Sequence, residues 1–463
     1  MGTIIQKYGG TSVGSGERLK QVAAIIENTL RHNPVIAVVS AMSGTVKAEG
    51  TTSLLLQASD AAVRGRSFAE PLEKLRQHHL AAVDSAISTP RLEVELEAFV
   101  EEELARLTRF LEAVTVIREL SPRTQDIVLS VGERLSARLL AGVLMDRDVP
   151  ALWHDLTYLV PDEEERVDPP FFRRMQQRLA ELFTHDERQV PVVTGFFGLV
   201  PGGLLNAVGR GYTDFTAALI SAGLGAERAE EMQVWKEVDG IFTADPRKVA
   251  SARVLPTISP AEAAELTYFG SEVLHPFTME RVTNAAIPIR IKNTFNPDGA
   301  GTVIVPTPRP KDARPVTAVT SKGGVTIFTI QSNRMVNAYG FMAGVFRVLE
   351  AHGVVVDLIS TSEVSVSCTV EDARAVERAR PELEKLGQVT IVPNRAILAI
   401  VGEGMTTMPG IAGRMFSALG VSNVNVEMIS QGSSEINISC VVRQEDIARG
   451  LEAVHQAFLG DQP

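Results

Sequence analysis

Cysteine is nearly absent: Cys368 and Cys440 are the only two in 463 residues, and no cysteine or histidine spacing builds a zinc site. No apolar run reaches membrane-spanning length, and the N-terminus has no basic segment followed by a hydrophobic stretch, so neither insertion nor secretion is signalled and a cytoplasmic location is expected. Positive charge is in deficit, with 45 Lys and Arg against 56 Asp and Glu and a net charge of −11. That balance argues against general affinity for nucleic acid or anionic membrane, so any anion site must be a local island of positive charge. The 45% hydrophobic and 22% charged content is that of a globular chain long enough for two to four domains.

The first 305 residues alternate short β-rich runs, such as PVIAVVSAM from Pro34, QVPVVTGFFG from Gln189 and EMQVWKEVDGIF from Glu231, with helical stretches. This pattern predicts an α/β domain with a mainly parallel sheet. Within EVELEAFVEEELARLTRFLEAV, beginning at Glu93, apolar residues at three- and four-residue spacing predict an amphipathic helix whose acidic side faces water. The proline-rich VPTPRPKDARPV, Val305 to Val316, interrupts both helix and strand and marks a domain boundary. Beyond it the chain repeats itself. Phe341 to Val370 aligns with Gly410 to Val442 as helix, turn, strand, turn, strand, and the closing strands SEVSVSCTV and SEINISCVV nearly match. The predicted division is 1–305, a linker at 306–320, and modules at 321–393 and 394–463. The repeat gives Cys368 and Cys440 equivalent strand positions, which favours packing over redox chemistry.

Five clusters carry chemistry. KYGGTSVG, Lys7 to Gly14, follows a short apolar strand and precedes a helix expected near Glu17. A lysine, the paired Gly9 and Gly10 and the hydroxyls of Thr11 and Ser12 suit a phosphate cradle, because glycine lets backbone N–H groups approach an anion. The order is not that of the Walker A loop. VVSAMSG ends a strand in Ser40 and Ser43, able either to cap a helix or to offer hydroxyls to a substrate. SVGERLSARLLAG puts Glu133 after a glycine at an expected helix start, where it either favours the helix dipole or meets a substrate ammonium. In VGRGYTD, Arg210 between two glycines suits capture of a carboxylate, with Gly211, Thr213 and Asp214 at the start of a helix. WKEVDGIFTADPRKV, Trp235 to Val249, offers an aromatic, backbone and terminal cations to a nucleotide.

Taken in order, KYGGTSVG, SVGERLSA, GRGYTD, VDGIFTADPR and GSEVLHP, followed by paired modules, resemble the aspartate kinase family over essentially the whole chain. KAEGTTS from Lys47 and WKEVDGIFTADPRKV look more like its fungal branch and some bacterial relatives than the enteric enzymes. The resemblance implies an amino-acid kinase α/β/α sandwich with tandem ACT modules of ferredoxin-like α+β fold. It also implies ATP-dependent phosphorylation of the L-aspartate β-carboxylate, with Mg²⁺, as the first step toward lysine, threonine and methionine.

By the same resemblance Lys7 and Asp214 are catalytic, and Ser40, Thr45, Glu133, Arg210, Gly211 and Thr213 bind aspartate. The relatives' threonine aligns with Val46, and Thr45 stands in for it. Lys7, Gly9, Gly10, Thr11, Ser12, Lys236, Glu237, Phe242, Arg247 and Glu272 bind the nucleotide. Two departures stand out: Lys236-Glu237 replaces a Thr-Asp of many relatives, and Glu272 replaces a lysine. No resident metal site is expected. Met335, Phe341, Val356, Asp357, Ser362 and Glu363 form the implied effector site for lysine or threonine, shared across a homodimer or homotetramer joined through the ACT modules. Glutamate 5-kinase, acetylglutamate kinase and UMP kinase share the scaffold but lack this motif set. An inactive amino-acid sensor is the non-enzyme alternative, and a fused homoserine dehydrogenase domain is not expected.

Overall fold

The computed structural model describes residues 1–44, 49–161, 164, 166–183, 189–209, 211–268, 274, 276–305, 315–332, 339–406, 408–432 and 436–460. The chain forms two compact units, Met1–Ile241 with Leu274–Pro306, and Phe242–Val273 with Thr307–Pro463.

The first unit begins with β1 (Thr3–Tyr8), α1 (Gly16–Leu30), β2 (Val35–Val39), α2 (Thr51–Val63), α3 (Ala69–Ala86), α4 (Pro90–Ile117) and α5 (Pro122–Asp146). It continues through β3 (Ala151–His154), α6 (Pro169–Leu182), β4 (Val190–Thr194), α7 (Leu204–Ala207), α8 (Tyr212–Leu224) and β5 (Ala229–Lys236). The second unit contributes β6 (Thr257–Ile258) and α9 (Pro260–Tyr268) before the first resumes with α10 (Pro276–Asn284), β7 (Ile289–Asn293) and β8 (Thr302–Ile304).

Hydrogen bonding orders these strands β3-β4-β2-β1-β5-β7-β8. Every pairing from β3 to β7 is parallel, and β8 returns antiparallel to β7. β1 is central and buried, because five of its six residues are shielded by helices and neighbouring strands. β1 leads to β2 on one side and the chain later crosses from β4 to β5 on the other, so the carboxyl ends of these strands mark a topological switch point, the kind of crevice at which such folds receive ligands.

Helix starts follow the local chemistry. Ser15 caps α1 by accepting from the Arg18 amide at 3.3 Å, in agreement with the expected start near Glu17. The acidic helix is α4, with one exception to its solvated acidic side. Glu103 is buried and binds Arg134 of α5 through both carboxylate oxygens at 3.0 Å, while Arg134 Nε meets Asp155 at 2.9 Å. Arg134 therefore ties α5 to α4 and to the turn after β3.

The second unit continues with β9 (Ala318–Gln331), α11 (Phe341–Ala351), β10 (Ile359–Thr361), β11 (Ser365–Val370), α12 (Ala373–Leu383) and β12 (Gln388–Val401). It closes with α13 (Ile411–Val421), β13 (Met428–Ser430), β14 (Asn437–Arg443) and α14 (Ile447–Leu459). Its antiparallel sheet runs β10-β11-β9-β12-β14-β13. Two long strands, β9 and β12, serve both repeats. Their register breaks between Val392 and Arg395, where Asn394 adopts φ 60°. On one side of the break β9 lies beside β11, and on the other Ala318–Val325 lies beside Arg395–Val401. Residues that the linear reading divided between the linker and the first module thus share a sheet with the second repeat.

Cys368 and Cys440 occupy matching positions on β11 and β14 as buried free thiols, and burial pushes both up to about 12. Redox chemistry at either is disfavoured.

Arg134→Ala is expected to destabilise the first unit by about 3–5 kcal/mol, because it leaves the buried Glu103 carboxylate without its partner. An Arg134→Met, Glu103→Leu double variant is expected to recover most of that loss in urea unfolding. A double variant as unstable as Arg134→Ala would contradict this account.

Candidate active site

Lys7 lies on central β1, paired in register with Val38 on β2 and Val234 on β5. Alternation sends Tyr8 to the opposite face, where it is fully buried and stacked on Trp235 at 6.0 Å. Lys7 is 6% exposed, and its ammonium sits 2.8 Å from Asp214 Oδ1. Asp214 belongs to the first turn of α8, whose N-cap is Gly211 with no side-chain cap. Neither Thr213 nor Asp214 therefore spends its side chain on capping; both meet partners across the crevice.

Thr213 Oγ1 accepts from Ser40 Oγ at 2.9 Å and donates to Glu133 Oε1 at 3.0 Å. Ser40 follows β2 and its carbonyl accepts from Ser136 Oγ at 2.6 Å. Ser40, Thr213 and Glu133 thus form one polar chain from three elements. Gly195, just after β4, makes room for it: a Cβ there would lie 2.4 Å from Thr213 Cγ2.

Glu133 is not at a helix start as the sequence suggests. It lies in the interior of α5, which begins eleven residues earlier at Pro122, so a role in satisfying the helix dipole is removed. Gly132 beside it allows close packing, since a Cβ would meet Thr51 Cγ2 at 2.6 Å. Burial pushes the Glu133 carboxyl up to about 8 against the opposing pull of Thr213, Tyr212, the Ala41 amide and Lys7. The side chain is therefore mainly neutral at pH 7 in the ligand-free chain. Burial, and then Glu133, likewise drives the Tyr212 hydroxyl well above its ordinary value.

The glycine loop is held tightly against its surroundings. A Cβ on Gly10 would lie 2.5 Å from the Ala41 carbonyl, and the Gly10 carbonyl accepts from the Ser43 amide at 2.9 Å. A Cβ on Gly9 would come within 3.9 Å of Lys7 Nζ. The Thr11 carbonyl accepts from Arg18 at 2.7 Å, and Ser12 Oγ bonds to Thr294 Oγ1 at 2.8 Å. Thr294 in turn donates its amide to the Lys236 carbonyl at 2.8 Å. Lys236 is half-buried at the end of β5, whereas Glu237 is exposed.

Sequence reading overlooked several residues that shape this crevice. Besides Gly195 and Tyr212, these are Thr294 and the Asp239 carboxylate, which accepts from Asn293 and Asn296 at 3.0 and 2.9 Å. A strand ending in Thr-Gly at 194–195 was the available signal for Gly195. Nothing local marks Thr294, because its role comes from a contact with Ser12, 282 positions away. Asp126 is another buried acid, pushed up to about 6 by burial, and it accepts from the Leu204 amide at 2.8 Å to fix the turn into α7.

The remaining assignments divide. Phe242 and Arg247 lie in the second unit, where Phe242 bridges Val254 and the exposed Arg247 binds its neighbour Asp245 at 2.9 Å. Phe341 and Val356 pack on the core beneath α11, and Asp357 stands before β10. Ser362 and Glu363 form the exposed turn at the other end of that strand, so the structure does not gather Asp357 and Ser362 at one point of a single chain. Thr45, Arg210, Glu272 and Met335 lie outside the described residues. Among the described residues no cluster of three metal-ligating side chains occurs, and no helix is long and apolar enough to cross a membrane.

Comparison with known proteins agrees with this architecture. The amino acid kinase family model matches residues 2–293, and an ACT domain model matches residues 328–384 and 398–458. The chain is therefore an amino acid kinase carrying ACT domains. It is 44% identical to the aspartokinase of Schizosaccharomyces pombe and 43% identical to that of Saccharomyces cerevisiae, in each case over 99% of this chain and 93% of the relative. The structure of Escherichia coli aspartokinase III in complex with lysine and aspartate superposes with a TM-score of 0.80 at 28% identity, covering 99% of both chains. Within its class, the chain belongs to the aspartokinase family.

Glu133 generates a pH prediction. A carboxyl raised above its unfolded value near 4.3 stabilises the fold fully below about pH 4.3, and that contribution is lost as pH rises through about 8. The melting temperature of the ligand-free chain is expected to fall between pH 5 and 9 more steeply than that of Glu133→Gln. Parallel profiles would contradict the buried neutral carboxyl.

Proposed function

We propose that this chain transfers the γ-phosphoryl group of ATP to the β-carboxylate of L-aspartate, giving 4-phospho-L-aspartate, with Lys7 as the charge at the reacting centre. The buried Lys7–Asp214 pair, set beside the Ser40–Thr213–Glu133 chain at the strand ends, supports this reading most strongly. The E. coli enzyme has also been crystallised with aspartate and ADP, and its fold matches this chain with a TM-score of 0.77.

The acceptor carboxylate, with a pKa near 4, is already ionised at neutral pH, so no general base is required. An anionic nucleophile must instead approach a triphosphate, which calls for charge neutralisation and in-line alignment. Lys7 supplies the charge, and Asp214 orients the ammonium toward the phosphoryl group. Gly9, Gly10, Thr11 and Ser12 face the phosphates, Lys236 and Glu237 flank them, and Phe242, Arg247 and Glu272 complete the nucleotide's surroundings. Mg²⁺ enters as part of MgATP, since phosphate oxygens and water satisfy its octahedral preference.

Arg210 takes the α-carboxylate of aspartate, with Gly211 and Thr45 beside it. Glu133 takes the α-ammonium. Because Glu133 is mainly protonated beforehand, binding a cation forces its proton out, and aspartate binding at pH 7 is coupled to proton release.

Functionally, residues 1–305 form the kinase domain, 306–320 the linker, and 321–393 and 394–463 the regulatory modules. The effector is lysine or threonine, bound around Met335, Phe341, Val356, Asp357, Ser362 and Glu363. Separation of Asp357 from Ser362–Glu363 within one chain favours sites completed by a second copy, hence a homodimer or homotetramer. The reaction opens the route to lysine, threonine and methionine in the cytoplasm.

Lys7→Ala is expected to lower turnover by several orders of magnitude with folding retained, in an ATP-dependent hydroxamate assay offering aspartate, glutamate or no acceptor. Near-normal turnover would remove Lys7 from the mechanism, and a preference for glutamate would change the acceptor. Arg210→Ala is expected chiefly to raise KM for aspartate. A selective loss of ATP binding would reverse that assignment.

A further inference from the structure

The second unit holds a carboxylate only half satisfied. Asp357 precedes β10 with its side chain 5% exposed, and Lys322 Nζ from the first half of β9 lies 2.8 Å from Oδ1. Among the described residues, Asp357 Oδ2 is buried without a hydrogen-bond partner. A buried carboxylate oxygen in that state is costly, and a second donor there is favoured.

Two further groups face the pair. Tyr268, the last residue of α9, places its ring 5.1 Å from Lys322 Nζ and donates its hydroxyl toward Asp357 Oδ1 at 3.3 Å. Glu371, at the end of β11 and 65% exposed, also contacts Lys322 Nζ. Lys322 can therefore leave Asp357 and keep a charge partner at the surface. The same ammonium that neutralises Asp357 has an alternative resting place at Glu371.

α9 connects this corner to the other repeat. Glu262, Glu265 and Tyr268 recur every third residue and so share a face. Glu262 Oε1 accepts from Thr317 Oγ1 at 2.5 Å and from the Glu403 amide at 3.0 Å, and Glu265 accepts from Asn437. One end of the helix is anchored beside the second repeat while Tyr268 touches the first.

We propose that Lys322 is a tethered stand-in for the effector: the ammonium of a free amino acid replaces it at Asp357, Lys322 moves to Glu371, and Tyr268 carries the exchange into α9. The proposal rests on the reading of Asp357 as an effector residue and adds how that site is occupied at rest. The resident ammonium competes with the incoming one, so it lowers the apparent affinity by the fraction of time it holds the carboxylate. The class of effector follows as an amino acid presenting a primary ammonium to Asp357, with release of the lock as the response.

The test uses the full-length chain, with L-lysine and L-threonine as probes, reading binding by calorimetry and half-inhibition of the aspartate-dependent reaction. Lys322→Met and Lys322→Gln, the latter keeping a hydrogen-bond donor, are expected to retain basal turnover and to respond at effector concentrations lowered by about fivefold. Asp357→Asn is expected to lose the response. Tyr268→Phe is expected to bind the effector yet show reduced maximal inhibition. Unchanged or weaker affinity in both Lys322 variants, with the response lost in Asp357→Asn, would overturn the exchange and leave the effector reading standing. An equal response in wild type and Asp357→Asn, or none in either, would overturn both. Full inhibition of Tyr268→Phe would remove α9 from the relay.

Discussion

An ammonium buried in an acidic protein needs a fixed anion beside it, and in the first unit that requirement joins two distant parts of the chain. Lys7 comes from the central strand and Asp214 from the first turn of α8, and their 2.8 Å contact holds the strand end and helix start together. The lysine is almost fully buried, with the Asp214 carboxylate directly beside its ammonium. Removing either partner leaves the other buried and uncompensated, so the pair constrains the fold around it, and in the proposed mechanism it also positions the reacting charge. Gly10 follows from close packing of the loop, since a Cβ there would lie 2.5 Å from the Ala41 carbonyl.

Next to this charged pair lies a polar chain of a different character. Ser40, Thr213 and Glu133 are linked in series, and burial raises the Glu133 carboxyl to about 8, which leaves it mainly neutral at pH 7. A permanently charged Glu133 would compete with Asp214 for Lys7. A neutral carboxyl keeps the resting site at a lower electrostatic cost, and under the proposed function its ionisation would couple aspartate capture to proton release. The regulatory unit repeats the theme with opposite timing: Asp357 rests with a lysine ammonium already in place.

Much of this was legible in the sequence. Short β-rich runs separated by helical periodicity identified the parallel sheet, and the two copies of one module revealed the second unit with its paired buried cysteines. Lys7, Asp214, Ser40 and Thr213 stand out in the sequence where strands end or helices begin, and the structure pairs Lys7 with Asp214 and Ser40 with Thr213. Long-range features were not legible. Glu133 looked like a first-turn acid because Gly132 reads as a break, yet the glycine only permits close packing against Thr51. Arg134, one residue on, belongs to a buried structural ion pair with Glu103, an acid hidden within an otherwise solvated run. The sharing of β9 and β12 between repeats is a matter of strand register, which a linear boundary cannot express.

The account depends on where the Lys7 ammonium points when both reactants are bound. A crystal structure with L-aspartate and a non-hydrolysable ATP analogue measures this directly. Lys7 Nζ is expected within about 3 Å of a γ-phosphate oxygen, with Asp214 still at its side. A Lys7 turned away from the phosphates while both ligands occupy the crevice would contradict it.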